Sequence, residues 1–283
     1  IGDPPNIIIG SKVGLTFNAF ILHLALPVTV CFVVGLFYLW FTNREKFRPI
    51  DTDLTKLFGV QLLLEKIRNE FLTTKIDRVF LTKGLSCLAL AILLFITQTV
   101  TGMSPGVVAL AVAMLLIMIT KVDVEHLMEE IEWTTLLFFT GLFILVGVLE
   151  EKHVLEWIAE NVFLRVGDNP YVIVLMVLWV SGIVSGFLDN IPFTITMIPI
   201  VKLMLESTPI PNDILWWALS LGACLGGNLT MIGASANIVS VGIAKRHHVD
   251  ISFLDFMKLS AVITLITLVI SSIFLTVFLW VSL

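Results

Sequence analysis

Residues 226–237 read Gly226-Gly227-Asn228-Leu229-Thr230-Met231-Ile232-Gly233-Ala234-Ser235-Ala236-Asn237. This glycine-rich polar run separates the apolar stretch 213–227 from the apolar stretch 253–283. Its meaning depends on the solvent around it. Of all residues 58% are hydrophobic and 14% charged, and the mean hydropathy is +1.01. Soluble domains are about 45–50% apolar and about 25% charged. So little charge excludes a soluble globular domain, a disordered chain, a coiled coil and a disulfide-stapled module. Further apolar runs at 17–41, 84–100, 105–120, 133–149, 170–187 and 191–205 approach the length that fits a bilayer core. The fold class expected is therefore an all-α polytopic membrane protein, with the lipid bilayer as its first partner.

In lipid, unpaired backbone at membrane depth is tolerated only inside protein or beside a watery cavity. Two more breaks resemble 226–237 in character: Gly2-Asp3-Pro4-Pro5-Asn6, and Ser185-Gly186-Phe187-Leu188-Asp189-Asn190-Ile191-Pro192-Phe193-Thr194. Tandem prolines cannot continue a helix. An ionisable residue such as Asp189 costs about 2.5–3.5 kcal/mol on insertion scales. Three such breaks point to broken helices arranged around a solute site at the midplane.

The net charge of −5 says little here, and no basic stripe suggests nucleic acid. Cys31, Cys87 and Cys224 lie in apolar segments without metal or disulfide spacing and read as small hydrophobes. The connection 42–83 carries Arg44, Lys46, Arg48, Lys56, Lys66, Arg68, Lys75, Arg78 and Lys83, so the positive-inside rule places it in the cytoplasm. Leu54, Leu57, Phe58, Leu62, Ile67 and Phe71 recur there at helical spacing, as in an amphipathic surface helix or a solvated linker helix. Shorter interfacial helices are expected at 121–132 and 150–165. Threading outward from that linker puts Lys121, Lys245, Arg246 and Lys258 inside as well, making 13 of the 17 basic residues cytoplasmic. The tip between 170–187 and 191–205 is too short to cross a bilayer comfortably, so 170–206 reads as a hairpin entering from outside. The C-terminus then lies on the side opposite the linker.

The chain also repeats itself. Ile1-Gly2-Asp3-Pro4-Pro5-Asn6-Ile7-Ile8 parallels Ile232-Gly233-Ala234-Ser235-Ala236-Asn237-Ile238-Val239. Phe17 and Phe20 open the long run after the first copy, and Phe253 and Phe256 after the second. The threading gives the copies opposite directions, which is an inverted repeat. The domains expected are 1–41, the end of the first repeat, 42–83, the linker, and 84–283, the second repeat. The last contains the hairpin 170–206, the broken helix 213–248 and the span 253–283. Opening on a break with no methionine, the chain is expected to be part of a longer protein.

Gly2 to Asn6, Asp189 to Thr194 with Met197-Ile198-Pro199, and Gly222 to Asn228 running to Asn237 together resemble the ion transporter superfamily. The likeness is greatest to the P protein (pink-eyed dilution) and arsenite-permease-like branch. Citrate permeases, sodium/proton antiporters and divalent anion/sodium symporters are more distant. The resemblance covers the whole chain. It implies an inverted-repeat secondary transporter with a re-entrant helical hairpin and unwound transmembrane helices, working as a homodimer by an elevator motion. It maps a hairpin tip onto Ser185 to Thr194 and unwound helices onto Gly226 to Asn237 and Gly2 to Asn6. Dicarboxylate members carry Ser-Asn-Thr at the tip, where this chain has Asp189-Asn190.

The candidate ion- and substrate-binding residues are Asp189, Asn190, Thr194, Asn228, Thr230, Ser235, Asn237, Asp3 and Asn6. Gly226, Gly227 and Gly233 are candidates for close backbone approach, or else helix-packing glycines. Asp189, Asn190 and Asn228 offer oxygens to Na⁺. Asp189 alternatively carries a proton or simply caps the next helix, and Asp3 has the same capping alternative. His23 reads as a packed side chain, and Trp133, Trp216 and Trp217 as interfacial anchors.

The function expected is secondary active transport of a small inorganic or organic ion coupled to Na⁺ or H⁺, with no other cofactor. The alternatives are a passive channel of the same fold and a non-transporting scaffold. An intramembrane enzyme is disfavoured, because no His-Glu-x-x-His, Gly-x-Ser-x-Gly or paired-aspartate protease spacing occurs.

Overall fold

The computed structural model describes residues 2–44, 59–65, 67–68, 77–129, 131, 133–158, 161, 169–208, 210, 213–246 and 249–282. Among these residues there are helices and no strands. The longer helices are α1 (Pro4–Val13), α2 (Phe17–Asn43), α3 (Arg78–Ile96), α4 (Pro105–Thr120), α5 (Trp133–Glu151), α6 (Pro170–Ser185), α7 (Asn190–Ser207), α8 (Ile214–Gly226), α9 (Ser235–Arg246) and α10 (Phe253–Ser282). Single-turn pieces occur at Gln98–Thr101, Val124–Glu129 and Val154–Ile158. The apolar runs thus coincide with helices throughout. One boundary moves: α3 starts six residues before its apolar run, because Asp77 caps it by accepting from the backbone N–H groups of Val79 and Phe80. Of the expected linker helix, Leu54, Leu57, Phe58 and Phe71 lie outside the described residues, while 59–65 and 67–68 are helical.

The chain divides into two compact units, Ile1–Tyr38 with Ile131–Leu283, and Leu39–Glu130. In the second unit α3 and α4 pack against each other around Cys87, Val108 and Val112. Lys83, near the start of α3, donates from Nζ to the Ile119 carbonyl at the end of α4, 2.9 Å away. The pair is therefore antiparallel, joined through residues 97–104, which include the piece Gln98–Thr101.

The first unit holds the larger core. Ile173, Leu178, Ile214, Leu219, Leu275 and Leu279 are fully buried in it. Trp216 and Trp217 are buried as well, each 2% exposed. The interfacial-anchor reading is wrong for both, because α8 is packed by α1, α6, α7 and α10 and has no outer edge to offer them. Trp133 is exposed.

Three described helices, α2, α3 and α10, are long and apolar enough to cross a membrane. Their outer faces are apolar too: Leu22 of α2 and Trp280 of α10 are 78% and 73% exposed. Helices apolar on every side are stable with lipid as the surrounding medium. α4, α6 and α8 are shorter apolar helices.

α6 and α8 form the closest helix pair. Gly182 and Ser185 on α6 face Gly222 and Gly226 on α8, each pair at one-turn spacing. A Cβ on Gly226 would run into the backbone of Gly182, and one on Gly222 would lie 2.5 Å from the Leu178 carbonyl. Small residues let helix backbones approach closely where lipid supplies no hydrophobic drive for association. Gly226 is therefore a packing glycine, set against protein backbone.

Three contacts fix the level of this pair and of α2 along α10. A Cβ on Gly182 would meet Leu268, halfway along α10. Trp179 Nε1 donates to Ser272 Oγ of the same helix at 3.0 Å. Cys31, halfway along α2, reaches the Thr267 carbonyl at 3.6 Å. The end of α6 thus lies near the half-length of α10, whose 30 residues span about 45 Å.

Gly226→Ala is expected to lower thermal stability in detergent by about 1–3 kcal/mol through overpacking. Gly84→Ala, at a helical position with nothing within 4 Å, should be neutral or slightly stabilising. Equal melting temperatures for the two variants would contradict this packing.

Candidate functional site

The site is built by chain breaks. α1 starts immediately after Asp3, with Pro4 and Pro5 in its first turn, where their missing N–H groups cost nothing. Gly14, in the left-handed region at φ 80°, ends it. α6 ends at Ser185, the chain turns through Gly186–Asp189, and α7 begins at Asn190. α8 ends at Gly226, residues 227–234 are non-helical, and α9 begins at Ser235.

The second and third of these breaks satisfy each other. The Asn190 N–H donates to the Gly233 carbonyl at 3.1 Å. Thr230 Oγ1, fully buried, donates to the Gly186 carbonyl at 2.6 Å. Ser185 Oγ donates to the Ala223 carbonyl at 2.7 Å. Asn237 Nδ2 closes the 227–234 segment by donating to the carbonyls of Gly227 and Thr230, both at 3.0 Å. A Cβ on Gly233 would lie 2.6 Å from the Gly227 carbonyl oxygen and 2.9 Å from that of Gly186, so only glycine fits there. Residues 185–194 and 226–237 are thus one structure.

The side chains of Asp189 and Asp3 link the helix starts. Asp189 Oδ1 accepts from the Ile191 N–H at 2.9 Å, and its Oδ2 accepts from Ser235 Oγ at 3.2 Å. The capping role and the contact with the broken helix are both present. Asp3 stands at the N-cap position of α1 but makes no side-chain cap. Its Oδ2 instead accepts from Asn190 Nδ2 at 3.4 Å. Both aspartates are half-buried. Asn6 is buried, and its Oδ1 accepts from Ser220 Oγ and from Cys224 Sγ.

Among the proposed site residues, Asp3 therefore meets Asn190, and Asp189, the next residue in sequence, meets Ser235. Thr230 and Asn237 act as staples of the loop. Thr194 is buried and donates to the Asn190 carbonyl one turn back, at 2.7 Å. Asn228 stands apart: its side chain is exposed, and among the described residues no hydrogen bond joins it to Asp189 or Asn190. His23 packs as expected, its Nδ1 2.8 Å from the Ala19 carbonyl and its ring stacked on Trp217 at 4.6 Å.

Ser220 and Cys224 were not foreseen as site residues. They lie one turn apart on α8 and, with Asp3, Asn6, Leu24 and Leu221, line a cavity of about 230 Å³. Single polar atoms in an apolar run carry no periodic signal. The i,i+4 spacing of a hydroxyl and a thiol is the one clue.

Chemically, each helix start offers carboxylate oxygens: Asp189 beside the Ser235 hydroxyl, and Asp3 beside the Asn190 amide. Such a donor set suits a hard cation or a proton. Thr230→Val, which keeps the side-chain shape, should cost about 1–3 kcal/mol by stranding the Gly186 carbonyl, while Thr230→Ser should retain most of that stability. Detergent melting curves check both; an unchanged Thr230→Val variant would contradict the mutual satisfaction of the two breaks.

Comparison with known proteins gives one answer. Residues 1–222 match the citrate transporter family, CitMHS. The uncharacterized transporter Rv2685 of Mycobacterium tuberculosis is 38% identical over 279 residues, covering 97% of this chain and 62% of that protein. The 46 kDa membrane protein of Mycobacterium leprae is likewise 38% identical over 280 residues, with the same coverage. The P protein of Homo sapiens is 33% identical over 330 residues, covering 92% of this chain and 39% of that protein. The chain thus spans about three fifths of the length of its mycobacterial relatives. With its fold and these matches together, this chain belongs to the citrate transporter family and is a multi-pass integral membrane protein.

Proposed function

We propose that the chain is the substrate-site portion of a secondary active transporter that couples movement of a small ion to Na⁺ or H⁺ by alternating access. The observation that carries this reading is the junction of three chain breaks in one polar network, at about half the length of the long helices. Unwound backbone and opposed half-helices at mid-depth are how secondary transporters hold ions.

The α1–α2 and α9–α10 pairs support an inverted repeat. Each sets a short helix after a break, 10 and 12 residues long, before a long one of 27 and 30 residues. The 170–206 segment is the re-entrant hairpin in this reading, and 1–41, 42–83 and 84–283 are the end of one repeat, the linker and the other repeat. The basic linker lies in the cytoplasm, with the C-terminus opposite. A homodimer moving its transport domain as an elevator completes the proposal. No catalytic step is needed.

Asp189 is assigned as the coupling-ion ligand or proton carrier, with Asn190, Ser235 and Asp3 beside it. Thr194 and Asn228 complete the proposed ion and substrate shell, and in this reading Na⁺ draws Asn228, which stands apart in this structure, towards Asp189 and Asn190. Asp189→Asn is the informative variant. Its Oδ1 still accepts from the Ile191 N–H, so helix capping survives, while its Nδ2 faces Ser235 Oγ as a donor. It removes the charge. In proteoliposomes, uptake of citrate, arsenite or chloride driven by a Na⁺ or H⁺ gradient should fall by about tenfold or more, the equivalent of losing 1.4 kcal/mol of ion binding. Expression and melting temperature should stay unchanged. Wild-type coupling in the variant would overturn the assignment.

A further inference from the structure

The cavity beside the first break is bounded by α1, α2 and α8. Its volume of about 230 Å³ is below the roughly 300–1,000 Å³ of drug-sized sites, so it takes a small molecule or one end of a larger one. Leu24 and Val28 of α2 give it an apolar wall, and Asp3, Asn6, Ser220 and Cys224 give it a polar one. Among the described residues that line it, Asp3 carries the one charge.

The polar wall has a definite hydrogen-bond pattern. Asn6 is 6% exposed. Ser220 Oγ and Cys224 Sγ, one turn apart on α8, both donate to its Oδ1 and so orient the amide. Its Nδ2 donates to nothing among the described residues, which leaves N–H donors beside the cavity. A buried donor without a partner costs about 1–3 kcal/mol. Asp3 precedes Asn6 by three residues, a spacing that puts two side chains on one side of a helix. The Asp3 carboxylate also interacts with the Cys224 thiol, so it faces the same space. Asn190 takes one of its oxygens, but a carboxylate has about four lone-pair sites, so acceptor capacity remains. The wall thus sets an oriented donor next to an acceptor.

We propose that this cavity seats an uncharged end group carrying a donor beside an acceptor, the chemistry of a primary amide or an undissociated carboxyl. The N–H or O–H of that group donates to Asp3, and its carbonyl accepts from Asn6 Nδ2. An ionised carboxylate has no proton to give and meets a like charge there. An ammonium group supplies donors to Asp3 but leaves the Asn6 amide unpaired. A short apolar body lies against Leu24 and Val28. The proposal rests on the transporter reading and sets the solute apart from the coupling ion: the solute at Asp3 and Asn6, the ion at Asp189. Asp3 joins the two through Asn190, the residue after Asp189.

The test uses ligands of one size: propionamide, propionate and propylammonium. They carry donor with acceptor, acceptor alone and donor alone. In phosphatidylcholine proteoliposomes at neutral pH, each is titrated against modification of Cys224 by methyl methanethiosulfonate, with mass spectrometry separating Cys224 from Cys31 and Cys87. Ala25→Cys combined with Cys224→Ser gives a second reporter, on the α2 wall, and keeps a donor for Asn6 Oδ1. Propionamide should protect either thiol at about tenfold lower concentration than propionate or propylammonium. Asp3→Asn, which removes the charge and keeps an oxygen for Asn190, should bring propionate to within about twofold of propionamide. Best protection by propylammonium would make this a cation site, and best protection by propionate an anion site; either overturns the inference. Equal protection by all the ligands, no protection at both reporters, or unchanged selectivity in Asp3→Asn also overturns it. Because transport is not read, the two readings fail separately. Selective protection without gradient-driven uptake sinks the transporter and leaves the pocket, and uptake without selective protection does the reverse.

Discussion

Lipid offers no hydrogen bonds, so every backbone N–H and C=O inside a bilayer needs a partner in the protein. This protein breaks its helices at three places, and two of those breaks supply backbone partners to each other. The Asn190 N–H takes the Gly233 carbonyl, Thr230 takes the Gly186 carbonyl, and Asn237 takes two carbonyls of its own loop. The cost of interrupting one helix is thereby offset by interrupting another beside it. The glycines follow from the same constraint. Gly226 and Gly233 are needed because protein backbone occupies the volume a side chain would fill.

The consequence is a small polar volume held by rigid apolar helices. α6 and α8 are locked by close glycine packing, and the core around Trp216 and Trp217 fixes α8 from the other side. Asp3 and Asp189 then project from helix starts whose positions are already determined. A carboxylate at such a place is expensive without an ion or proton to balance it. That expense is why the proposed chemistry centres on these two residues.

Much of this was legible in the chain itself. Apolar runs mark helices because their length and composition have one stable answer in lipid, and the ends of α4, α6 and α10 fall where Pro, Gly and polar residues place them. The three breaks were legible for the same reason. What escaped were relations between distant positions. Trp216 and Trp217 look like anchors because they stand at the start of an apolar run, yet that run is enclosed by four other helices. Ser220 and Cys224 look like filler until Asn6, more than two hundred residues away in sequence, arrives beside them. Asn228 is exposed, and among the described residues no hydrogen bond joins it to Asp189 or Asn190. The extra turn at the start of α3 came from one cap, Asp77, placed outside the apolar run.

Depth is the property on which the account turns. Leu188 at the hairpin tip and Ile232 in the unwound segment are 56% and 50% exposed, so each accepts a nitroxide without disturbing the core. Electron paramagnetic resonance of the doubly labelled protein in proteoliposomes, with power saturation by oxygen and by a water-soluble nickel chelate, gives the separation of the two sites, their depth and their hydration. Here the labels should be near neighbours, about 15 Å below the edge of an apolar core that is about 30 Å thick, and open to the nickel chelate. Two labels at headgroup level, or far from each other, would contradict it.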